Sequence, residues 1–225
     1  MTRSPTIHRS ALATHALQKM DLRSEIDAGV LHREQTAVQT PAEWRFAAVT
    51  GRFVEVSSYR AGAALTFVFR LVLEAQSLTE PVAWITNRDS TFFPPDAAEA
   101  GIDLAALAVI RSRDTISAAR AAEHLLRSGA FGLVVMDIGA HARLPIHAQS
   151  RLAGQARRHE TALLCITEKP RDASSLGALV SLRVHTIRLQ RKADRFRCEA
   201  HVEKDKRRGP GWTHVEVCRG PDGLR

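Results

Sequence analysis

A chain of 225 residues, 44% apolar and 25% charged, has the make-up of an ordinary globular protein and is long enough to bury roughly 70% of its unfolded surface without covalent staples. Its three cysteines, Cys165, Cys198 and Cys218, are too sparse and scattered for a disulfide framework or a zinc site and fit a reducing cytoplasm; no apolar run reaches bilayer length, and the first 20 residues lack an apolar signal core. The net charge of +8 favours a polyanionic partner, although an arginine-heavy composition alone raises the pI as well.

Residues 6–35 are expected to form two helical pieces, "TIHRSALATHALQKM" and "LRSEIDAGVLHREQ". Each carries only a thin apolar stripe, suited to lying on a partner. "TAVQTPAEW" reads as a linker broken by Pro41. From Gly51 the pattern alternates. "RFVEV" is expected to be a strand, "LTFVFRLVLEAQ" a helix, and "PVAWIT" and "LAVIR" two further strands. "DTISAARAAEHLLRSGAF" predicts a helix capped by Asp114 or Thr115 and stopped by Gly129. "GLVVMDIG" and "TALLCIT" are continuous apolar runs, hence buried strands, with the helix "SRLAGQARRHE" between them. Beyond Leu176, "LRVHTIRLQR", "FRCEAHVEK" and "WTHVEVCR" alternate without helices, as an antiparallel meander does. The expected fold is therefore α/β: a mostly parallel sheet with helices on both faces, closed on one side by the C-terminal meander.

"EVSSYRAGAALTF" lies between the first strand and its helix, which is how a phosphate-binding loop is built. The residues that such a loop needs are missing. Ser58 and Ala63 stand where G-x-x-x-x-G-K-[ST] has glycines, Ala64 where it has lysine and Leu65 where it has the magnesium-binding hydroxyl. Sliding the register to use Gly62 puts Ala63 at the lysine position. Without backbone N–H groups free to point at phosphate, and without the lysine's charge, phosphate binding loses its main support.

The order of these pieces resembles the RecA recombinase fold from about Gly51 to Arg219, and is most similar to the ImuA family, RecA-like accessory proteins of bacterial SOS-mutagenesis cassettes. "GRFVEV" resembles the strand entering the Walker A loop, "GLVVMD" the Walker B strand ending in Asp137, and "HVEKDKRRGPGWTHVEV" the late strands with their K-x-K pair, Lys204 and Lys206. The water-activating glutamate of RecA-type ATPases would follow "VAWIT", where Arg88 and Asp89 stand instead; Glu168 takes the place of RecA's relay glutamine.

The resemblance implies an N-terminal interaction segment over 1–46, a RecA-like core over 47–219 and a tail over 220–225. It implies a non-catalytic adaptor in error-prone translesion DNA synthesis, without nucleotide or metal cofactor and located in the cytoplasm, with nucleoid association left open. The implied partners are RecA, ImuB and an error-prone C-family DNA polymerase. The alternatives are a DNA-stimulated ATPase or DNA-binding RecA paralogue, and a SulA-like cell-division inhibitor.

Further candidates come from the residues themselves. Lys204, Lys206, Arg207 and Arg208 form the densest basic cluster, for DNA phosphates or an acidic partner, or simply a charged hairpin edge. Trp212 beside them is a base-stacking platform or a hydrophobic plug. Phe92 and Phe93, before two prolines, are partner anchors or fillers of the sheet edge. His141 and His147 have no metal-site spacing, and Ser57-Ser58 has no nucleophile elbow.

Overall fold

The computed structural model describes residues 44–60, 62–87, 92–140, 142–192 and 195–219. Contacts divide the chain between Val38 and Gln39, and every described residue belongs to the second unit. The expected N-terminal segment up to residue 43, the tail 220–225, Arg88, Asp89 and His141 lie outside the described residues.

The elements follow in the order α1 (Phe46–Val49), β1 (Phe53–Ser58), α2 (Ala64–Ser77), β2 (Val82–Thr86), α3 (Pro94–Glu99), β3 (Leu107–Arg111), α4 (Thr115–Ser128), β4 (Leu133–Gly139), α5 (Ile146–Arg158), β5 (Ala162–Glu168), β6 (Leu182–Lys192), β7 (Arg195–Asp205) and β8 (Thr213–Arg219). They build one eight-stranded sheet in the order β3-β2-β4-β5-β1-β6-β7-β8. The first six of these strands are parallel neighbours, and β6, β7 and β8 pair antiparallel. The α/β class, the mostly parallel sheet and the antiparallel end match the expectation from the alternating pattern.

Helix placement follows from connection handedness. From β1 the chain moves past β5 and β4 to β2 and then to the β3 edge. It then reverses, and a right-handed crossover in the opposite direction must use the opposite face. Accordingly α4 lies over β2 and β4 and α5 over β5 and β1, while α2 packs on β1, β2 and β6. Two cores result. One, containing Trp44, Phe67, Leu71 and Trp84, lies under α2; the other, containing Phe53, Leu126, Met136 and Leu152, lies under α4 and α5.

Local chemistry explains the helix ends. Asp114 caps α4 by accepting a hydrogen bond from the Ser117 N–H at 2.7 Å, and Gly129 ends it with φ of 66°, in the left-handed region that glycine enters without strain. Helix α5 begins at Ile146, four positions before the expected start. Its first turn carries no acid or hydroxyl cap to signal a boundary, and Pro145 takes the N-cap position. Trp44, placed in the linker by sequence, is 1% exposed and donates its indole N–H to the Phe67 carbonyl at 3.1 Å. Among the described residues the packed core thus reaches back to Trp44, ahead of the expected boundary at residue 47.

Candidate functional site

In a doubly wound sheet, ligands bind where connections from neighbouring strands leave on opposite faces, at the carboxyl ends of the strands. Here the chain leaves β2 toward α3, on the α2 side, and leaves the adjacent β4 toward α5 on the other side. The carboxyl edge carries Ser58 of β1 opposite Glu168 of β5, and Thr86 of β2 opposite Asp137 of β4. Asp137 is 7% exposed, and the β4–β5 register shifts between Asp137 and Gly139. Asn87 donates to the Ile138 carbonyl at 3.3 Å, and Ser112 bonds the Thr86 carbonyl through both its N–H and its hydroxyl, so this edge is tied together by the chain's own groups.

The loop from Ser58 to Ala64 is drawn inward. A Cβ on Gly62 would stand 2.2 Å from the Ser58 Cβ, so the Gly62 backbone rests on that side chain. The Gly62 N–H turns back to the Arg60 carbonyl at 2.8 Å, and the Ser58 carbonyl accepts from the Lys169 N–H at 2.8 Å. Arg60 takes φ of 55°, a strained value for a residue with a Cβ. Ala63 and Ala64 are buried in the α2 core, whereas Leu65 is 40% exposed. Two of the loop's backbone groups, the Gly62 N–H and the Ser58 carbonyl, therefore serve neighbouring chain.

Behind this loop lies a group that sequence reading passed over. Glu55, at the centre of β1, is wholly buried. Its carboxylate accepts from the Thr167 hydroxyl at 3.1 Å, the Ser175 hydroxyl at 2.9 Å and the Leu176 N–H at 2.8 Å. Lys169 forms an ion pair with it, and Arg183, opposite in the β1–β6 register, stands 3.9 Å away. Arg183 donates in turn to the carbonyls of Arg171, at 3.1 Å, and Ala173. A buried carboxylate survives only when paired and hydrogen-bonded, and here three of its five partners, Lys169, Ser175 and Leu176, lie in the 169–181 connection. Glu55 thereby clamps that connection beside α5, on the same face of the sheet. The signal was present: a lone acid inside "FVEV", a run otherwise fit for full burial.

The K-x-K pair belongs to the same clamp. Lys204 and Lys206 donate to one acceptor, the Ala178 carbonyl, at 3.2 and 2.9 Å. Burial, then the neighbouring Lys206 ammonium, lowers the Lys204 pKa. Arg207 reaches the Thr50 carbonyl at 3.4 Å, and Arg208 is exposed. The turn is held from beneath by Asp205, which pairs with buried Arg52 at 2.7 Å. Burial alone would raise the Asp205 pKa, but hydrogen bonds from the Arg207 N–H and from Arg52, with the Arg52 charge, bring it below the usual carboxylate value.

The remaining candidates separate. Trp212 packs against the α2 core, and its indole N–H finds no acceptor among the described residues. Phe92 is 9% exposed with its ring 5.2 Å from that of Trp84, whereas Phe93 is 55% exposed. His147 lines a groove between α4 and α5, with Ile116 and Arg151, far in sequence from the basic cluster. The structure thus brings Ser58, Gly62 and the two lysines to opposite ends of one clamped connection, and leaves Phe92 and Trp212 serving the core.

Among the described residues no helix is long and apolar enough to cross a membrane. No protein-family model matches the chain, and no curated protein sequence matches it significantly.

Proposed function

We propose that this chain is a RecA-like adaptor that works without nucleotide chemistry, of the kind the ImuA resemblance implies, in error-prone translesion DNA synthesis. Its partners on this reading are RecA, ImuB and an error-prone C-family polymerase, joined by docking. Support comes from the order of elements, from the sheet that turns antiparallel after β6, and above all from the loop after β1. The observation that carries the reading is Gly62 seated on Ser58, with Ala63 and Ala64 packed in the core where a phosphate loop keeps open backbone and a lysine.

The lysine pair adds support. In a RecA-type filament such a pair reaches a neighbour's nucleotide; here both ammonium groups hold the Ala178 carbonyl of their own chain. ATP titration followed by calorimetry tests the reading, together with co-purification against the three partners. No saturable binding at micromolar ATP is expected, with retention of at least one partner. Micromolar ATP affinity, or phosphate release abolished by Asp137→Asn, sinks it.

A further inference from the structure

The cysteines that looked unrelated in sequence are brought together by the meander. In the β7–β8 register Cys198 lies opposite Glu216 and Phe196 opposite Cys218, so the two cysteines are diagonal neighbours on adjacent strands. Strand alternation turns both toward the α2 core: Cys198 is part of it, at 1% exposure, and Cys218 packs against it while half-buried. The two thiols are close enough to hydrogen-bond, and Arg188, opposite Cys198 on β6, holds its guanidinium 5.1 Å from the Phe196 ring centre beside them.

We propose that Cys198 and Cys218 form a dithiol site that closes to a disulfide between β7 and β8 on reaction with hydrogen peroxide. The hydrogen bond from Cys218, and then the Arg188 charge, lower the Cys198 pKa against the opposing effect of burial. Loss of one proton from the pair to solvent supplies the thiolate. Cys218, the sulfur nearer solvent, attacks a peroxide oxygen as thiolate; the O–O bond breaks, giving a sulfenic acid and hydroxide. Cys198 then attacks the sulfenic sulfur, the S–O bond breaks, and hydroxide leaves. Two thiols lose two electrons and two protons, and peroxide becomes two waters.

Cys165 is the internal control. It is wholly buried in β5 with the Met136 sulfur at 3.9 Å and no second cysteine beside it among the described residues, and burial with the nearby Glu55 charge pushes its pKa far up.

The test exposes the full chain to hydrogen peroxide at neutral pH, alkylates remaining thiols, unfolds and alkylates again with a second label, and maps peptides by mass. The expected result is an intact mass lower by two hydrogens, a linked Cys198–Cys218 peptide that dithiothreitol reverses, and Cys165 carrying only the second label. The Cys165→Ser variant should keep the link and Cys218→Ser should lose it. Two labelled thiols at 198 and 218 after peroxide, separate higher oxides at each, or links only between chains would each overturn the proposal. Should Cys218→Ser not fold, the wild-type mass and map still decide.

Discussion

Gly62 lies so close to Ser58 that a Cβ at position 62 would stand 2.2 Å from the serine Cβ and 3.3 Å from its Cα. Backbone cannot yield to such an intrusion as a flexible side-chain end can. Gly62→Ala should therefore destabilise the protein by about 1–3 kcal/mol through overpacking, read as a lower urea midpoint with unchanged slope. Ala64→Lys, which restores the phosphate-loop lysine in name, places an ammonium at a site 4% exposed. It should lower stability and still give no micromolar ATP binding by calorimetry, because the loop remains closed on itself.

Glu55 neutralises Lys169 and Arg183 inside the sheet. Glu55→Ala removes the acceptor and leaves Lys169 and Arg183 without their carboxylate, a change that costs about 3–5 kcal/mol for a broken buried pair. Glu55→Gln, which can still accept from the Ser175 hydroxyl and the Leu176 N–H, should lose less. Hydrogen exchange gives the local readout: the amides of Leu176 and Leu179 should exchange faster in Glu55→Ala, while those of β4 keep their protection.

Two buried groups set two pH windows. His185 is 5% exposed, with its Nδ1 3.3 Å from the Ser57 hydroxyl oxygen, and burial, then the Arg183 charge, lowers its pKa. Below the unfolded value of about 6.5 the unfolded chain binds a proton that the folded one refuses, so stability falls as pH drops from there toward the folded pKa. Asp205 acts in a separate range. Its depressed carboxyl contributes stability above the unfolded value of about 3.9, and that contribution is lost as pH falls through the lower folded pKa. Urea titrations from pH 8 to pH 3 should show both limbs. His185→Phe should flatten the upper limb alone and Asp205→Asn the lower.

Phe92 and Phe93 are adjacent but should behave oppositely. Phe92→Ala empties a place against Trp84 and should cost about 3 kcal/mol. Phe93, 55% exposed, should change stability by under ~0.5 kcal/mol when truncated. If Phe93 anchors a partner, Phe93→Ala should reduce co-purification with the proposed recombination and polymerase partners at unchanged thermal midpoint. Equal retention of every partner would remove Phe93 from the interface.

Strands and helices were readable in the residues because burial imposes periodicity. "LVVM" is apolar throughout since both faces of β4 are covered, and β7 alternates because only one of its faces meets a core. Asp114 and Gly129 marked the ends of α4 through their own local chemistry. Trp44 was hidden from such reading: a single aromatic beside a proline linker has no period, and only its distant partner Phe67 explains its burial.

The missing phosphate-loop residues could likewise be read in order along "SSYRAGAAL", because such a loop is local and its chemistry depends on fixed spacing. Folding alone decided where the long-range partners went. Glu55 meets Arg183, Lys206 meets the Ala178 carbonyl and Cys198 meets Cys218 because β1 and β6 pair side by side and the meander doubles back. Charge and sulfur carry no sequence period. Their role depends on which neighbour the sheet register places within a few ångströms, and register is a property of the assembled core rather than of any segment.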